Sequence, residues 1–188
     1  FPEFRTQLTQ PDHCVAELDQ RKRTRATIKI QDGCTNRCAY CSIPLTRPEL
    51  TSRPIDDVKN EVFSLAQKGT KEIVITGIQV GAYGLGTTDN LSALLKDLCD
   101  IPGLERIRLS SIELNDITEE LVMLMSSSAK ICPHIHIPLQ AGDDTVLKRM
   151  NRHYTSEQLI DRCRMLQNTI TDIAITTDII VGFPGELD

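Results

Sequence analysis

Short apolar segments alternate regularly with amphipathic segments along this chain. Runs rich in β-branched residues alternate with runs whose apolar residues recur three or four positions apart. The predicted strands are 26–30, 71–77, 104–111, 134–140 and 172–185 (the last including its exit loop), and the predicted helices are 53–69, 90–100, 116–127, 143–150 and 155–168. This spacing is typical of parallel βαβ units, which build either a barrel or a doubly wound sheet.

Local signals support several of these elements. Asn90 precedes one predicted helix and Gly69 follows another, as expected of an N-cap and a helix end. Asp116 and Glu119 are spaced as a capping box for the helix over 116–127. The strand over 71–77 is nearly continuous in apolar residues, which predicts burial on both of its faces.

Polar or glycine-rich residues follow every predicted strand. In chain order these segments read GCTNRCAYC, GIQVGAYG, SSIELN, PLQAGDD and GFPGE. Ligands of parallel α/β proteins bind at the carboxyl ends of the strands. Five such strand ends facing one mouth favour a barrel over a sheet with a single crevice. The predicted fold class is therefore α/β, a partial (β/α) TIM-like barrel.

Three cysteines lie within eight residues of the loop after the first predicted strand. Cys34, Cys38 and Cys41 form a C-x3-C-x2-C pattern with no fourth cysteine nearby. A structural zinc site usually has four ligands, and a redox C-x2-C pair would leave Cys34 without a role. A cubane iron–sulfur cluster takes one thiolate per iron, so three cysteines leave one iron open to another ligand. A reduced cysteine cluster without metal remains an alternative.

The remaining titratable clusters give weaker signals. Cys99, Cys132 and Cys163 lie in or beside apolar patterns and are predicted to be thiols of the core. His134 and His136 share one strand face, but no third ligand accompanies them in sequence, so polar packing is favoured over a metal site.

Composition and charge exclude some classes of protein. No apolar run is long enough to cross a membrane, and residues 1–25 lack the apolar core of a signal peptide. Seven cysteines in an uneven arrangement do not resemble a secreted disulfide framework, so a reducing cytoplasm is expected. The net charge of −5 disfavours bulk binding of nucleic acid. Residues 1–54 nevertheless hold 9 Lys and Arg against 6 Asp and Glu, a small positive region that could meet phosphate locally.

The cysteine loop resembles that of the radical S-adenosylmethionine (SAM) enzymes, with Tyr40 at their aromatic position. In that family the open iron chelates SAM, and an electron from the cluster cleaves SAM to a 5′-deoxyadenosyl radical. The resemblance implies a [4Fe–4S] cluster on Cys34, Cys38 and Cys41, and SAM as a second cofactor. It also implies SAM contacts at the strand ends, from Gly77, Gln79, Glu113, Gln140, Arg152 and Asp178. Arg152 is expected to pair with the SAM carboxylate in forked geometry.

Four longer segments over 24–188 resemble the methylthiotransferases among these enzymes. They read RTRATIKIQDGCTNRCAYCSIPLTR, EIVITGIQVGAYG, HIHIPLQAGDDTVLKRMNRHY and TTDIIVGFPGE. Within that family, TGIQVGAYG is most similar to enzymes that act on N6-threonylcarbamoyladenosine beside the tRNA anticodon. The resemblance implies methylthio insertion at C2 of that adenine. It also implies the anticodon stem–loop as substrate and an electron donor such as flavodoxin or ferredoxin. Alternatives are a dimethylallyl-adenosine tRNA substrate, a ribosomal protein substrate, or a structural iron–sulfur or zinc module.

The sequence departs from this family in two respects. Pro48 stands where the family usually has glycine, so the turn there has a fixed φ and lacks an amide donor. Whole family members carry an N-terminal domain with a second [4Fe–4S] cluster and a C-terminal β-barrel, and Cys14 alone cannot supply that second cluster. We therefore expect residues 1–25 to be a linker from such a domain, and 26–188 to be a radical SAM core that stops after its fifth strand.

Overall fold

The structure, a computed structural model, describes residues 24–186. The predicted linker over 1–25, apart from its last two residues, and Cys14 lie outside this range. The strands are β1 (Arg25–Asp32), β2 (Thr51–Ser52), β3 (Glu72–Gly77), β4 (Arg106–Leu109), β5 (His134–His136) and β6 (Ala174–Thr176). The helices are α1 (Ile43–Thr46), α2 (Ile55–Gln67), α3 (Leu91–Cys99), α4 (Glu119–Ser127), α5 (Asp144–Arg149) and α6 (Ser156–Thr169). Two single-turn 3-10 helices lie at Val80–Ala82 and Leu114–Asp116.

Successive parallel strands are added on the same side of the sheet. Strands β1, β3 and β4 pair in parallel, and β5 pairs in parallel with β6. A parallel bridge between Ser111 and His136 links the end of β4 to β5. A doubly wound sheet would reverse its strand order at a switch point. The sequential order is that of a (β/α) barrel, and within residues 24–186 it forms an open, partial one.

The strands are buried on one face and polar on the other. In β1, Ile28 and Ile30 are buried while Thr27 and Lys29 are exposed. The buried faces of α2, α3 and α4 contribute to one apolar core with these isoleucines and with Ile73, Ile75 and Ile107. The expectation that the strand over 71–77 is buried on both faces was wrong. Val74 and Thr76 are only partly covered, and Val74 lines the open interior of the partial barrel.

Most predicted elements are present, but two local signals were misjudged. Asn90 caps α3 by accepting a hydrogen bond from the Ala93 amide at 2.8 Å, as expected. The predicted capping box of Asp116 and Glu119 was wrong, because Asp116 lies in a 3-10 turn and Thr118 caps α4 instead. The short antiparallel strand β2 was also not predicted, since two residues are too few to produce a periodic pattern.

The helices of residues 24–186 are all too short or too polar to cross a bilayer. The longest, α6, has 14 residues, whereas a membrane-spanning helix needs about 20.

Candidate functional site

The cysteine loop leaves β1 at its carboxyl end and folds back on itself. The Cys34 amide donates to the Arg47 carbonyl at 3.2 Å, and the Cys41 amide donates to the Cys38 carbonyl at 3.0 Å. Arg37 adopts a positive φ of 49° between these turns, a conformation that few non-glycine residues adopt. All three thiols are partly exposed, so they are accessible from the mouth of the partial barrel.

The donor set fits an iron–sulfur cluster. Burial raises the pKa of the Cys34 thiol, and the nearby Cys38 and Cys41 raise it further because adjacent thiolates repel one another. A cationic cluster that takes one thiolate per iron would relieve this repulsion. Within residues 24–186, no three His, Cys, Asp or Glu side chains converge on a position for a single metal ion.

Residues at the end of α5, much later in the chain, form hydrogen bonds with the cysteine loop. The Ala39 amide donates to the Met150 carbonyl at 2.9 Å. The Asn151 side-chain amide donates to the carbonyls of Arg37, at 3.0 Å, and Asn36, at 3.3 Å. Asn151 itself has a positive φ of 57°. The loop after the first strand and the turn after α5 therefore form one unit.

Arg152 lies at the centre of this unit and is nearly inaccessible to solvent. Its two terminal nitrogens form a forked ion pair with Glu113, and one of them also donates to the Cys38 sulfur at 3.2 Å. Further bonds reach the Pro138 carbonyl at 3.1 Å and the Tyr154 hydroxyl at 3.1 Å. Burial lowers the pKa of Arg152, but the paired Glu113 outweighs it, so the pKa is raised above its usual value. In this structure the fork expected to meet a SAM carboxylate contacts Glu113.

Gly77 and Gln79 lie at the end of β3, beside the cysteine loop. A Cβ atom on Gly77 would come within 2.5 Å of the Gln31 carbonyl oxygen, so the glycine is needed for close packing of β1 against β3. The Gln79 side-chain oxygen accepts a hydrogen bond from the Thr35 amide at 3.3 Å. Gln79 has a positive φ of 39°, which turns its side chain toward the loop. This contact joins the second strand end to the first.

Gln140 and Asp178 lie at the ends of β5 and β6. The Gln140 amide donates to the Asp178 carbonyl and its carbonyl accepts from Ile180, so its backbone joins these two strand ends. The Asp178 carboxylate is largely exposed and lies 3.5 Å from His136 Nε2. His136 in turn contacts the Ser111 hydroxyl at 2.8 Å. The two histidines make polar contacts with neighbouring strands, as favoured above, since His134 Nε2 contacts the Thr176 hydroxyl at 3.1 Å.

Tyr40 is partly exposed and lies beside the Cys38 side chain. Burial raises the pKa of its hydroxyl, and Cys38 raises it further, so the side chain stays neutral. Outside the loop, within residues 24–186, Cys99 and Cys163 pack against the apolar core, and Cys132 is buried.

Sequence reasoning missed the residues that support the loop. Asn151 and Tyr154 belong to the quoted segment that ends in MNRHY. Nothing in its spacing indicates that Asn151 contacts Arg37, 114 positions earlier, or that Tyr154 bonds the Pro138 carbonyl. Asp116 was interpreted as a helix cap, although it lies under Gly81 with one carboxylate oxygen buried and without a hydrogen-bond partner.

A cavity of about 470 Å³ opens on the inner face of the strands. It lies between the polar side chains of β1, β4 and β5 and reaches Asp178 at the mouth. Among its lining residues are Arg25, Arg108, His134 and His136. Its lining includes no cysteine, and of the candidate site residues it includes Asp178 alone, so the cavity is separate from the cysteine loop.

A family model described as the radical SAM superfamily matches residues 28–188. The chain belongs to the radical SAM superfamily. The match covers the whole cysteine loop and all of the strands except the first three residues of β1, which confirms the expected fold. For this superfamily the implied cofactors are a [4Fe–4S] cluster and SAM, and the three loop thiols suit the cluster.

Curated relatives narrow the similarity to methylthiotransferases. The chain is 46% identical over 167 residues to the threonylcarbamoyladenosine tRNA methylthiotransferase MtaB of Thermotoga maritima, and 47% identical over 168 residues to that of Bacillus subtilis. It is 45% identical over 166 residues to a tRNA-2-methylthio-N(6)-dimethylallyladenosine synthase of Thermoanaerobacter. These alignments cover 87–88% of the chain but only 35–38% of the relatives, so the chain spans somewhat over a third of their length.

Solved structures agree on the fold. The radical SAM methyltransferase TsrM of Kitasatospora setae superimposes with a TM-score of 0.70 over 89% of this chain and 32% of its own. Its sequence identity is 21%, so this similarity concerns the fold alone.

Proposed function

We propose that this chain is the radical SAM core of a tRNA methylthiotransferase that inserts a methylthio group at C2 of N6-threonylcarbamoyladenosine, beside the anticodon. The observation that carries the proposal is the three-cysteine loop at the mouth of the partial barrel, in a chain 46–47% identical to two enzymes named for that reaction. Radical chemistry is needed because an aromatic C–H bond at C2 offers no acidic proton for ordinary acid–base catalysis.

The residues of this chain have defined tasks in the proposal. Cys34, Cys38 and Cys41 hold the [4Fe–4S] cluster, which supplies the electron for reductive cleavage of SAM when it is bound. Gln79, Gln140 and Asp178 supply acceptors for the ammonium and hydroxyl groups of SAM at three strand ends. Tyr40 lies beside Cys38 on the cluster loop, and Gly77 lets the strand ends approach closely.

The proposal extends to parts of the reaction outside residues 24–186. The anticodon stem–loop of tRNA is the substrate, and flavodoxin or ferredoxin is the electron donor. A second [4Fe–4S] cluster, on an N-terminal domain that residues 1–25 link to this core, supplies the sulfur. The reaction takes place in the cytoplasm, where free thiols stay reduced.

The first test is cluster loading. Anaerobic reconstitution with iron and sulfide should give a brown protein with about four irons, and with SAM and a strong reductant it should release 5′-deoxyadenosine. Cys38→Ala should abolish both, whereas the matched control Cys163→Ala, at a thiol that packs against the core, should keep both. A colourless protein with stoichiometric zinc would overturn the proposal in favour of a structural metal module.

The second candidate is methylthiolation of dimethylallyl-adenosine tRNA. It is favoured by the 45% identity to the Thermoanaerobacter synthase, close to the identities with the threonylcarbamoyl enzymes. The full-length gene should be expressed in cells that lack both modifications, and their tRNA nucleosides analysed by mass spectrometry. We expect the 2-methylthio derivative of threonylcarbamoyladenosine. Its absence, together with the dimethylallyl product or a methylthiolated ribosomal protein, would reassign the substrate.

A further inference from the structure

Arg152 makes a set of contacts that a role in binding SAM does not explain. One terminal nitrogen donates to the Cys38 sulfur at 3.2 Å and to Glu113 at 3.1 Å. The other donates to Glu113 and to the Pro138 carbonyl, and Nε donates to the Tyr154 hydroxyl. Every nitrogen of the guanidinium therefore has a protein partner, and the side chain is 3% exposed.

These partners come from three different strand ends. Cys38 follows β1, Glu113 follows β4 and Pro138 follows β5. The Tyr154 ring packs against the guanidinium, with Cζ 4.9 Å from the ring centroid, and its hydroxyl donates to the Pro138 and Leu139 carbonyls. The guanidinium is thus fixed in position by groups that do not depend on any ligand.

We propose that Arg152 is a positioning residue that fixes Cys38 and tunes the reduction potential of the cluster on that cysteine. Reduction adds one electron to the cluster and forms or breaks no bond. A nearby cation favours the reduced cluster because that form carries more negative charge. Hydrogen bonds to the ligand sulfurs and net charge are among the factors that set iron–sulfur potentials. Glu113 opposes this effect, because its carboxylate neutralises part of the guanidinium charge. The inference rests on the cluster assigned to this loop under the proposed function.

The test compares single variants of the anaerobically reconstituted chain by redox titration followed by EPR, without SAM. Arg152→Gln should shift the midpoint potential to more negative values, since a cation and a hydrogen bond to sulfur are lost. Glu113→Gln should shift it to less negative values, since the guanidinium loses its counter-charge. The matched control Arg164→Gln, at a side chain 71% exposed on α6, should leave the potential unchanged. Loosening of the loop alone cannot produce opposite shifts.

A second measurement needs no cluster. In the apo chain, Arg152→Gln should increase amide hydrogen exchange together in 34–41 and 138–140, because one side chain joins these segments, whereas Arg164→Gln should not. If Arg152→Gln fails to fold, the sign of the potential shift in Glu113→Gln decides whether the inference holds: a less negative potential supports it and any other result overturns it.

Each contrary outcome is informative. A potential for Arg152→Gln equal to that of the control, with weakened SAM binding, would overturn the inference and make Arg152 a SAM ligand. Shifts of the same sign in both variants would also overturn it. If the unmodified chain takes up no iron, the proposed function fails instead, so the two failures are distinguishable.

Discussion

At the scale of single residues, the candidate site depends on the close approach of the β1 backbone to the β3 backbone. The ladder between β1 and β3 changes register between Lys29 and Gln31, and this irregularity brings the Gln31 carbonyl against Gly77. The same strand ends then carry the cysteine loop and Gln79, which contact each other through Thr35. Tight packing of two strands thus brings the first two functional loops together.

Gly77→Ala should lower the free energy of unfolding by about 1–3 kcal/mol, because the added methyl group overlaps the Gln31 carbonyl in a packed sheet. Urea denaturation measures the change. Gly142→Ala is the matched control, since a Cβ atom there meets nothing within 4 Å, and it should change stability by less than about 0.5 kcal/mol. Equal stability of the two variants would show that β1 and β3 are not packed this closely.

Asp116 should make stability depend on pH. Burial raises the pKa of its carboxyl above the usual 3.8, and the neighbouring Glu113 raises it further. The folded protein therefore binds a proton more tightly than the unfolded chain, and stability is lost as the pH rises above 3.8 toward the folded pKa.

Asp116→Asn removes this charge, so it should stabilise the protein at pH 7 and lose its advantage as the pH falls toward 3.8. Urea denaturation across that pH range measures the difference. The exposed Asp161→Asn controls for the change of net charge. A constant difference at every pH would contradict the burial of an ionised Asp116.

At the scale of elements, short polar side chains fix where the helices begin. Helix α6 starts with a complete capping box, in which the Thr155 hydroxyl accepts from the Gln158 amide and the Gln158 side chain accepts from the Thr155 amide. This cap places α6 directly after the turn that contains Arg152 and Tyr154. The helix start therefore limits the movement of the residues that hold the cysteine loop.

Thr155→Ala should lower the free energy of unfolding by about 1 kcal/mol, because an N-terminal amide of α6 loses its partner. Thr169→Ala, at the other end of the same helix, removes a hydroxyl that bonds only the Met165 carbonyl and should cost less than about 0.5 kcal/mol. Chemical denaturation of both variants gives the comparison. Equal costs would mean that the capping box contributes little to α6.

Much of the architecture could be predicted from periodic patterns, because strands and helices repeat their burial every few residues. Asn90 was recognisable as a cap since a single side chain makes the contact within three positions. Asp116 was misread because Thr118 stands two residues later and competes for the same helix start. The partner of Arg152 could not be predicted, since its guanidinium contacts Glu113, 39 positions away, and Cys38, 114 positions away.

At the scale of the whole molecule, the partial barrel has exposed apolar side chains beside β6. Among the described residues, β6 pairs with β5 alone. Ile179 and Val181 follow it and are 61% and 81% exposed. Unpaired strand edges with apolar neighbours promote association between chains.

The chain should therefore self-associate as its concentration rises. Sedimentation velocity should show larger species for the unmodified chain and fewer for the double variant Ile179→Lys, Val181→Lys. Leu45→Lys, at an apolar residue 84% exposed on α1, serves as the control and should not reduce association. If the unmodified chain is monodisperse at all concentrations, these exposed residues beside β6 do not mediate association.

The contact between Arg152 and Cys38 also has a consequence for synthesis on the ribosome. The two residues are 114 positions apart, so at about 5–20 residues per second Cys38 leaves the exit tunnel roughly 6–23 seconds before Arg152 does. During that interval the nascent loop lacks Asn151 and Arg152, and its thiols are open to oxidation or to the wrong metal. Iron–sulfur assembly factors should therefore act on the released chain, and translation pauses upstream of residue 150 should lower the yield of correctly metallated protein.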